Sequence, residues 1–359
     1  MASLTSLFNQ EKRAQKVRAL ARYYNIDSIL GNDWAIFYII LGSRKTGKSY
    51  SVTDFLCREK KHKGDNVKNY WMRISETSTK AMLANKCKGL VDPDLVRKYN
   101  LDLTHKDMYV YDHGKEFMTV CPLSQFGKLK GVGFYDKDYT GDYNIVLDEL
   151  MLEQGEKRTS FDILYNFIGM CENLVRTTKT HIRVFLLGNT LEESSSILKA
   201  FNFIPHKFGR FYLHRPDNPK KDKRAVIDNL EPTEEYMKDR EGSIASILGG
   251  DDMSNFTNAM TRDLELLYRG RVIHPTAIIK FGKRESDWYT LWDGKIIKKY
   301  NKEKLSEGCD IAMKPYLATY YSRERVLNVM DMYDARVLKF DTLITQAYFE
   351  GELQKLRKQ

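Results

Sequence analysis

The segment that most constrains the fold of this chain is Gly42-Ser-Arg-Lys-Thr-Gly-Lys-Ser49, which has the spacing G-x-x-x-x-G-K-S. It follows an apolar, β-branched run at residues 36–41 and leads into residues 50–56, whose composition suits a helix. In a strand–loop–helix context the loop N–H groups and the helix N-terminus bind phosphate, so this segment predicts a nucleotide-binding P-loop. The predicted nucleotide-binding residues are Gly42, Ser43, Arg44, Lys45, Thr46, Gly47, Lys48, Ser49 and Tyr50.

The predicted loop supplies two side chains with chemical roles. Lys48 is expected to reach the β- and γ-phosphates, and the Ser49 hydroxyl to bind Mg²⁺. A GTPase would be expected to carry an Asn-Lys-x-Asp motif, and the nearest segment, Asn85-Lys-Cys-Lys88, lacks the aspartate. ATP with Mg²⁺ is therefore the predicted nucleotide.

Two adjacent acids, Asp148 and Glu149, end a second buried-strand pattern at residues 143–147. At a strand tip beside the P-loop, Asp148 would organise the Mg²⁺ ion and Glu149 would polarise the attacking water as general base. Such a pair favours ATP hydrolysis over phosphoryl transfer to a small molecule. The alternative interpretation is two solvated acids at the end of a strand.

A third buried-strand pattern, at residues 182–187, ends in Gly188-Asn189. Asn189 is a candidate sensor of the γ-phosphate or the attacking water, and an ordinary turn asparagine explains it equally well. A basic segment at residues 173–183 precedes the strand, and Arg176 is our candidate for a cation that enters a neighbouring subunit's site. A solvated basic face formed by Arg176, Lys179 and Arg183 is the alternative.

The order of apolar runs predicts an α/β fold with a mainly parallel sheet. Short runs alternate with helical patterns at residues 35–41, 69–74, 108–111, 144–147 and 182–187,. We predict a P-loop ATPase domain of the ASCE class at residues 1–230, a helical linker at 231–268, and a small α+β domain at 269–359. The charged stretch Arg215-Pro-Asp-Asn-Pro-Lys-Lys-Asp-Lys-Arg224 is predicted to be a loop.

Composition narrows the partners and the location. A formal net charge of +10 favours a polyanionic partner, although an unspecialised basic protein would show the same charge,. The five cysteines are scattered without a CxxC pair, which is typical of reduced cytosolic thiols, and no HExxH is present,. Because no spacing of a protein-bound zinc site is present, we expect any metal to arrive with the nucleotide. No apolar run approaches the roughly 18 residues of a membrane span, so we expect no membrane partner.

These motifs together resemble the genome-packaging ATPases of small protein-primed tailed phages, the phi-29 type, which are related to large terminase subunits. The resemblance is carried by a P-loop with Arg44 in its third place, by Pro122-Leu-Ser124, and by the Asp148-Glu149 strand. The Arg176 segment, the Asn189 turn and the helical pattern through Lys358 also match.

The resemblance implies a homomeric ring, expected to have five subunits, that docks on a procapsid portal and translocates double-stranded viral DNA, hydrolysing ATP between subunits. By the same resemblance Arg176 is a trans finger, Lys130 acts across the subunit interface, and Asn189 is a sensor. A DNA-gripping loop is expected near Arg73 and Lys80. The protein would act in the host cytoplasm, transiently at the portal vertex, and be absent from the mature virion.

The small domain resembles the terminase nuclease domain, of ribonuclease H type, but its first predicted strand, residues 275–281, has no acid. A two-metal nuclease needs converging carboxylates, so Asp287, Asp293 and Asp310 are interpreted as turn acids and nuclease activity is not expected. We predict a degenerate nuclease fold that binds nucleic acid, with a packaging RNA as one candidate, or docks to the portal. The alternatives for the whole chain are a replication helicase or initiator ATPase, and a nucleotide-gated structural module.

Overall fold

The computed structural model describes residues 23–43, 45–129, 138–150, 161–175, 181–189, 195–204, 208–231, 234–241, 266–268, 270, 272, 275–302, 318–320 and 323–357. The chain divides into two compact units, Met1–Ile197 with Pro205–Met260, and Leu198–Ile204 with Thr261–Gln359. None of the helices in the described part has the length and apolarity that a bilayer crossing demands. The three-part division predicted above, with its linker at residues 231–268, stays a prediction.

The described part of the first unit is built on a nine-stranded sheet. Its strands are β1 Phe37–Leu41, β2 Val67–Arg73, β3 Leu103–Lys106, β4 Tyr109–Asp112, β5 Lys115–Pro122, β6 Asp142–Asp148, β7 Ile182–Gly188, β8 Gly209–Leu213 and β9 Ala225–Asn229. The spatial order is β3-β4-β5-β2-β6-β7-β1-β9-β8. The six strands from β5 to β9 in this order pair in parallel, while β3, β4 and β8 are antiparallel additions at the two edges.

Helices connect these strands. They are α1 Asp27–Leu30, α2 Lys48–Lys63, α3 Glu76–Cys87, α4 Pro93–Tyr99, α5 Phe126–Leu129, α6 Ile163–Leu174, α7 Ser196–Ala200 and α8 Glu234–Glu241. Side-chain caps fix three starts, since Ser75, Asp92 and Asp162 accept hydrogen bonds from backbone N–H groups of α3, α4 and α6,. The central strands are buried on both faces, so the burial of β1 and β6 is nearly continuous along each strand and does not alternate,.

The second unit contains a five-stranded sheet and two helices in its described residues. The elements are β10 Pro275–Lys280, β11 Trp288–Trp292, β12 Ile296–Lys299, β13 Ala318–Tyr320, α9 Arg323–Asp334, β14 Lys339–Phe340 and α10 Leu343–Arg357. The strand order is β13-β10-β11-β12-β14. Tyr289, Phe340 and Phe349 form an edge-to-face aromatic core with ring centroids 5.2 and 5.5 Å apart,. Asp293 and Gly294, at φ 50° and 70°, make the tight turn between β11 and β12,.

The α/β fold class predicted from the sequence is confirmed, and the small unit is α+β. Its ribonuclease H type stays a prediction. Asp287 and Asp293 lie in turns beside β11, as interpreted above, and Asp310 lies outside the described residues. The sequence patterns did not predict β3, β5, β8 or β9. The loop predicted at Arg215–Arg224 is present, and it is the turn of the β8–β9 hairpin.

Candidate nucleotide-binding site

The loop between β1 and α2 has the backbone shape that its glycines predict. Gly47 precedes the first residue of α2 with φ 85°, a left-handed conformation that strains other residues,. A Cβ added to Gly47 would lie 3.1 Å from Tyr23 Cβ, so glycine is also needed for space. Thr46 Oγ1 donates to the Ser43 carbonyl at 2.9 Å and closes the loop on itself.

The Lys48 ammonium lies inside this loop. Its Nζ donates to the carbonyls of Gly42 and Ser43, each at 2.7 Å, and the residue is 9% exposed. The hydroxyl of Ser43 is buried and has no hydrogen-bond partner among the described residues. A buried cation, an unsatisfied buried hydroxyl and the start of a sixteen-residue helix together fit an anionic phosphate group,.

The acids predicted for the second half of the site are at the carboxyl end of β6. Ser49 Oγ donates to Asp148 Oδ1 at 3.1 Å, which joins the start of α2 to the tip of β6. Glu149 follows with φ 77°, and its N–H donates to the Leu187 carbonyl at 3.1 Å, fixing it to the end of β7. Asp148 is buried, while the Glu149 side chain is about one-third exposed. The hydroxyl and carboxylate oxygens of Ser49 and Asp148 are suitable ligands for Mg²⁺.

Arg73 binds both acids. It is the last residue of β2, which lies beside β6, and one guanidinium nitrogen is 2.8 Å from Asp148 Oδ2 while another is 3.3 Å from Glu149 Oε1. The Arg73 guanidinium is only 22% exposed and lies between two carboxylates of the candidate nucleotide site. The DNA-gripping loop expected near Arg73 stays a prediction. Lys80, the other expected residue, is exposed on α3 and pairs with Glu76 at 2.7 Å.

These groups line a cleft of about 1020 Å³, a size typical of small-molecule sites,. The lining residues are Tyr23, Tyr24, Asn25, Asp27, Lys45, Thr46, Gly47, Lys48, Ser49, Tyr50, Ser51, Asp54, Arg58, Arg73, Asp92, Asp94, Lys98, Asp148, Glu149, Leu187, Gly188 and Asn189. The structure thus brings Asn189 and Tyr50 together with the P-loop and the two acids. Arg44, Lys130 and Arg176 lie outside the described residues, so their roles stay predictions.

One wall of the cleft was not predicted. The Tyr24 N–H donates to the Thr46 carbonyl at 2.9 Å, and the Ile26 N–H donates to Ser51 Oγ at 2.8 Å, so this segment is attached to both the P-loop and α2. The Tyr24 hydroxyl donates to buried Asp228 on β9 at 3.1 Å, and Arg210 on β8 forms a bidentate ion pair with the same carboxylate. Tyr23 and Tyr50, both exposed, flank the start of α2. The sequence signal for this wall is the adjacent pair Tyr23 and Tyr24, which precedes β1.

The sheet order and the loop after β1 together define a P-loop α/β domain, the fold class predicted from the sequence. The parallel order β2-β6-β7-β1-β9 places the P-loop after β1, the acids after β6, and Asn189 after the intervening strand β7,.

Comparison with known proteins gives structural relatives without sequence relatives. No family model and no curated protein sequence matches the chain. The bacteriophage phi-29 viral genome packaging motor assembly aligns at 16% identity over 94% of this chain and 100% of its own, with a TM-score of 0.61. The phi-28 DNA packaging motor aligns at 14% identity over 94% and 98%, with a TM-score of 0.56.

A third structure, the N-terminal domain of the phi-29 DNA packaging ATPase, aligns at 20% identity over 60% of this chain and 99% of its own, with a TM-score of 0.48. At the identities of the two full-length matches, the likeness is one of fold. The resemblance to packaging ATPases of the phi-29 type, inferred from the motifs, is confirmed at that level.

Proposed function

We propose that this chain is an ATP-driven motor that moves double-stranded viral DNA into a preformed procapsid. One observation carries the proposal: Lys48, Ser49, Asp148 and Glu149 meet in one cleft, within a fold similar over 94% of the chain to phage packaging motors. The net charge of +10 supports a polyanionic substrate,.

Each residue of the cleft has a role in hydrolysis that follows from its position. The Lys48 ammonium stabilises charge on the β- and γ-phosphates after exchanging its contacts with the loop carbonyls,. Ser49 and Asp148 would hold the Mg²⁺ that accompanies ATP, which when bound neutralises charge on the phosphate oxygens. The more exposed Glu149 carboxylate accepts the proton of the attacking water, and Asn189 orients that water or the γ-phosphate.

Arg73 sets a condition on this chemistry. Its single guanidinium contacts both Asp148 and Glu149 and holds them together. Because Arg73 contacts the carboxylate oxygens that would bind Mg²⁺ or accept the proton of water, hydrolysis requires Arg73 to loosen its contact with at least one of the two acids,.

The partners belong to the same proposal. The chain would form a homomeric ring, of five subunits by resemblance, on the procapsid portal in the host cytoplasm, with Arg176 and Lys130 acting across the interface. A packaging RNA is a further candidate partner of the small unit. Cutting of DNA is not proposed, because β10 has no acid and the described residues contain no cluster of three potential metal ligands.

The test is ATP turnover with and without linear duplex DNA. We expect DNA to stimulate turnover in the wild type, and Lys48→Ala or Glu149→Gln to abolish it. Lys61→Ala, which removes an exposed cation from the other end of α2, is the matched control and should behave as the wild type. An ATP turnover rate that is the same with and without duplex DNA would contradict the proposal. Strand displacement on forked substrates would indicate a helicase instead.

A further inference from the structure

The turn of the β8–β9 hairpin carries a concentration of positive charge that the ATP site does not use. We call residues 214–224 the basic hairpin loop. They include five Lys and Arg side chains against two Asp, a formal net charge of +3 with His214 neutral. The surface-exposed members include Arg215, Lys220 and Lys221.

The loop lies at the end of the sheet opposite the P-loop. Strand β9 pairs with β1 in parallel register from Phe37↔Ala225 to Leu41↔Asn229. The loop therefore precedes β9 where β1 begins, whereas the P-loop follows the end of β1. Five strand residues span about 15 Å, so the loop cations and the P-loop lie at separate ends of the sheet,.

The loop is held in one shape by its own hydrogen bonds. The Lys221 N–H donates to the Asn218 carbonyl at 2.9 Å, and the Lys223 N–H donates to Leu213 at 3.1 Å. Asp222, whose side chain is 9% exposed, accepts from the N–H and Nε of Arg224 at 3.0 and 3.2 Å and lies 3.3 Å from His214 Nδ1. Asp222, one of the two acids, is thus paired with groups inside the loop.

The outer cations of the loop are not paired in this way. Arg215, Lys220, Lys221 and Lys223 form no ion pair with any residue in the described part of the chain, and Asp217 is the remaining exposed acid. Two cations on helices differ, since Lys80 and Lys63 each pair with a glutamate one turn earlier. Like charges fixed in a short, ordered loop repel one another, and a polyanion relieves that repulsion.

An aromatic surface adjoins the loop. Trp34 packs on His214 with ring centroids 4.8 Å apart, and on Tyr212, an exposed residue of β8, at 6.1 Å. These contacts hold the base of the loop against the start of β1 and restrict where its cations can move.

We propose that the basic hairpin loop binds the phosphate backbone of duplex DNA. The choice of DNA rests on the function proposed above, while the choice of a phosphate backbone rests on the loop. Lys and Arg without acceptors beside them contact phosphates without reading bases, so the contact is independent of sequence. Contacts that do not depend on base sequence suit a DNA substrate that the protein translocates along its whole length.

The experiment compares two double variants with equal changes in net charge. Lys220→Glu with Lys221→Glu alters the loop, and Lys106→Glu with Lys115→Glu alters exposed lysines at the other edge of the sheet. Binding of a labelled, mixed-sequence duplex is followed by fluorescence anisotropy across a salt series. Loss of two phosphate contacts lowers the log–log salt slope by about 1.8, and affinity at about 0.1 M salt by roughly 60-fold.

The control variant should stay within about threefold of the wild type, and both variants should keep the wild-type melting temperature and DNA-free ATP turnover. Equal losses in the two variants, or none in the loop variant, would overturn the inference. A wild-type chain that binds no duplex would overturn both proposals, whereas a loop variant that binds like its control overturns only this one.

A second measurement needs no variant. Duplex DNA should protect Lys220 and Lys221 of the wild type from acetylation, read by mass spectrometry, and leave Lys106 and Lys115 reactive. Unchanged acetylation, or protection by duplex RNA but not by duplex DNA, would count against the proposal.

Discussion

The ion pair between Arg210 and Asp228 gives a prediction whose size can be worked out. Asp228 is fully buried, and Arg210 binds it through Nε at 2.7 Å and a terminal nitrogen at 2.9 Å. Burial raises the pKa of Asp228 above its ordinary value, and the Arg210 charge opposes that shift. The variant Arg210→Met keeps most of the apolar stem and removes the guanidinium, so the carboxylate loses this ion pair and keeps the hydrogen bond from the Tyr24 hydroxyl.

Two routes limit the loss of stability in Arg210→Met. Leaving a buried charge without its partner costs about 3–5 kcal/mol. Protonating a carboxyl with an ordinary pKa of about 3.9 costs about 4 kcal/mol at pH 7, since each pH unit is worth 1.36 kcal/mol. The cheaper route sets the result, so we expect a loss of about 3–4 kcal/mol at pH 7.

The pH dependence has a definite sign. In the variant the folded-state pKa of Asp228 lies far above its unfolded value, so the folded state binds more protons than the unfolded state between the two values. Its stability therefore falls as pH rises through that window. Lowering the pH from about 7 to about 5.5 should recover up to about 2 kcal/mol of the deficit.

Urea denaturation followed by circular dichroism at the two pH values provides the measurement. Arg215→Met, an exposed position on the same hairpin, is the control and should change stability by less than about 0.5 kcal/mol,. Adding Asp228→Leu to Arg210→Met should restore most of the loss, because no buried charge then remains. A loss below about 1 kcal/mol at pH 7, or a deficit that does not shrink in acid, would refute the reasoning.

Three further predictions concern the nucleotide site and the opposite end of the sheet. Arg73→Gln should tighten Mn²⁺ binding about three- to tenfold by electron paramagnetic resonance, because a cation beside both acids is removed; unchanged affinity would contradict its proposed role,. Gly47→Ala should abolish ATP binding by calorimetry, whereas Gly31→Ala, with open space around its Cβ, should not,. Burial and the charge of Arg183 lower the pKa of His181 below 6.5, so the unfolded state binds more protons and stability falls as pH drops below that value,. His181→Gln should flatten this slope in thermal melts, and an unchanged slope would contradict the assignment.

The P-loop and the two adjacent acids could be predicted from sequence because each is a contiguous segment of the chain. The P-loop spacing, and the two acids directly after an apolar run, are local patterns whose chemistry depends on strand ends. Arg73 could not be placed in this way, because its partner Asp148 is 75 residues away. The contact follows from register, since Met72 lies opposite Leu147 and the next residues face each other. Periodicity predicts strands but does not give the strand order.

The missed strands have a different cause. Among the strands that the sequence did not predict, β3 and β8 lie at the two edges of the sheet and have only four and five residues, and their patterns differ from those of the buried parallel strands. The turn His113-Gly114, with φ values of 47° and 77°, was the local signal for the β4–β5 hairpin,. The wall formed by Tyr24 and Asp228 joins residues 204 positions apart, beyond the reach of any local pattern.

Strand β9 joins the two ends of the sheet to which we assign function. All five of its residues pair with β1, so the strand cannot slide without breaking that ladder,. At its far end the Leu230 N–H donates to the Leu41 carbonyl at 2.8 Å, and the Leu230 side chain leaves little room at Gly42, where an added Cβ would lie 3.1 Å away. If duplex DNA binds the basic hairpin loop, force on the loop reaches the P-loop through a paired strand and not through a flexible connection. The loop and the P-loop are therefore attached to two adjacent, fully paired strands of one sheet.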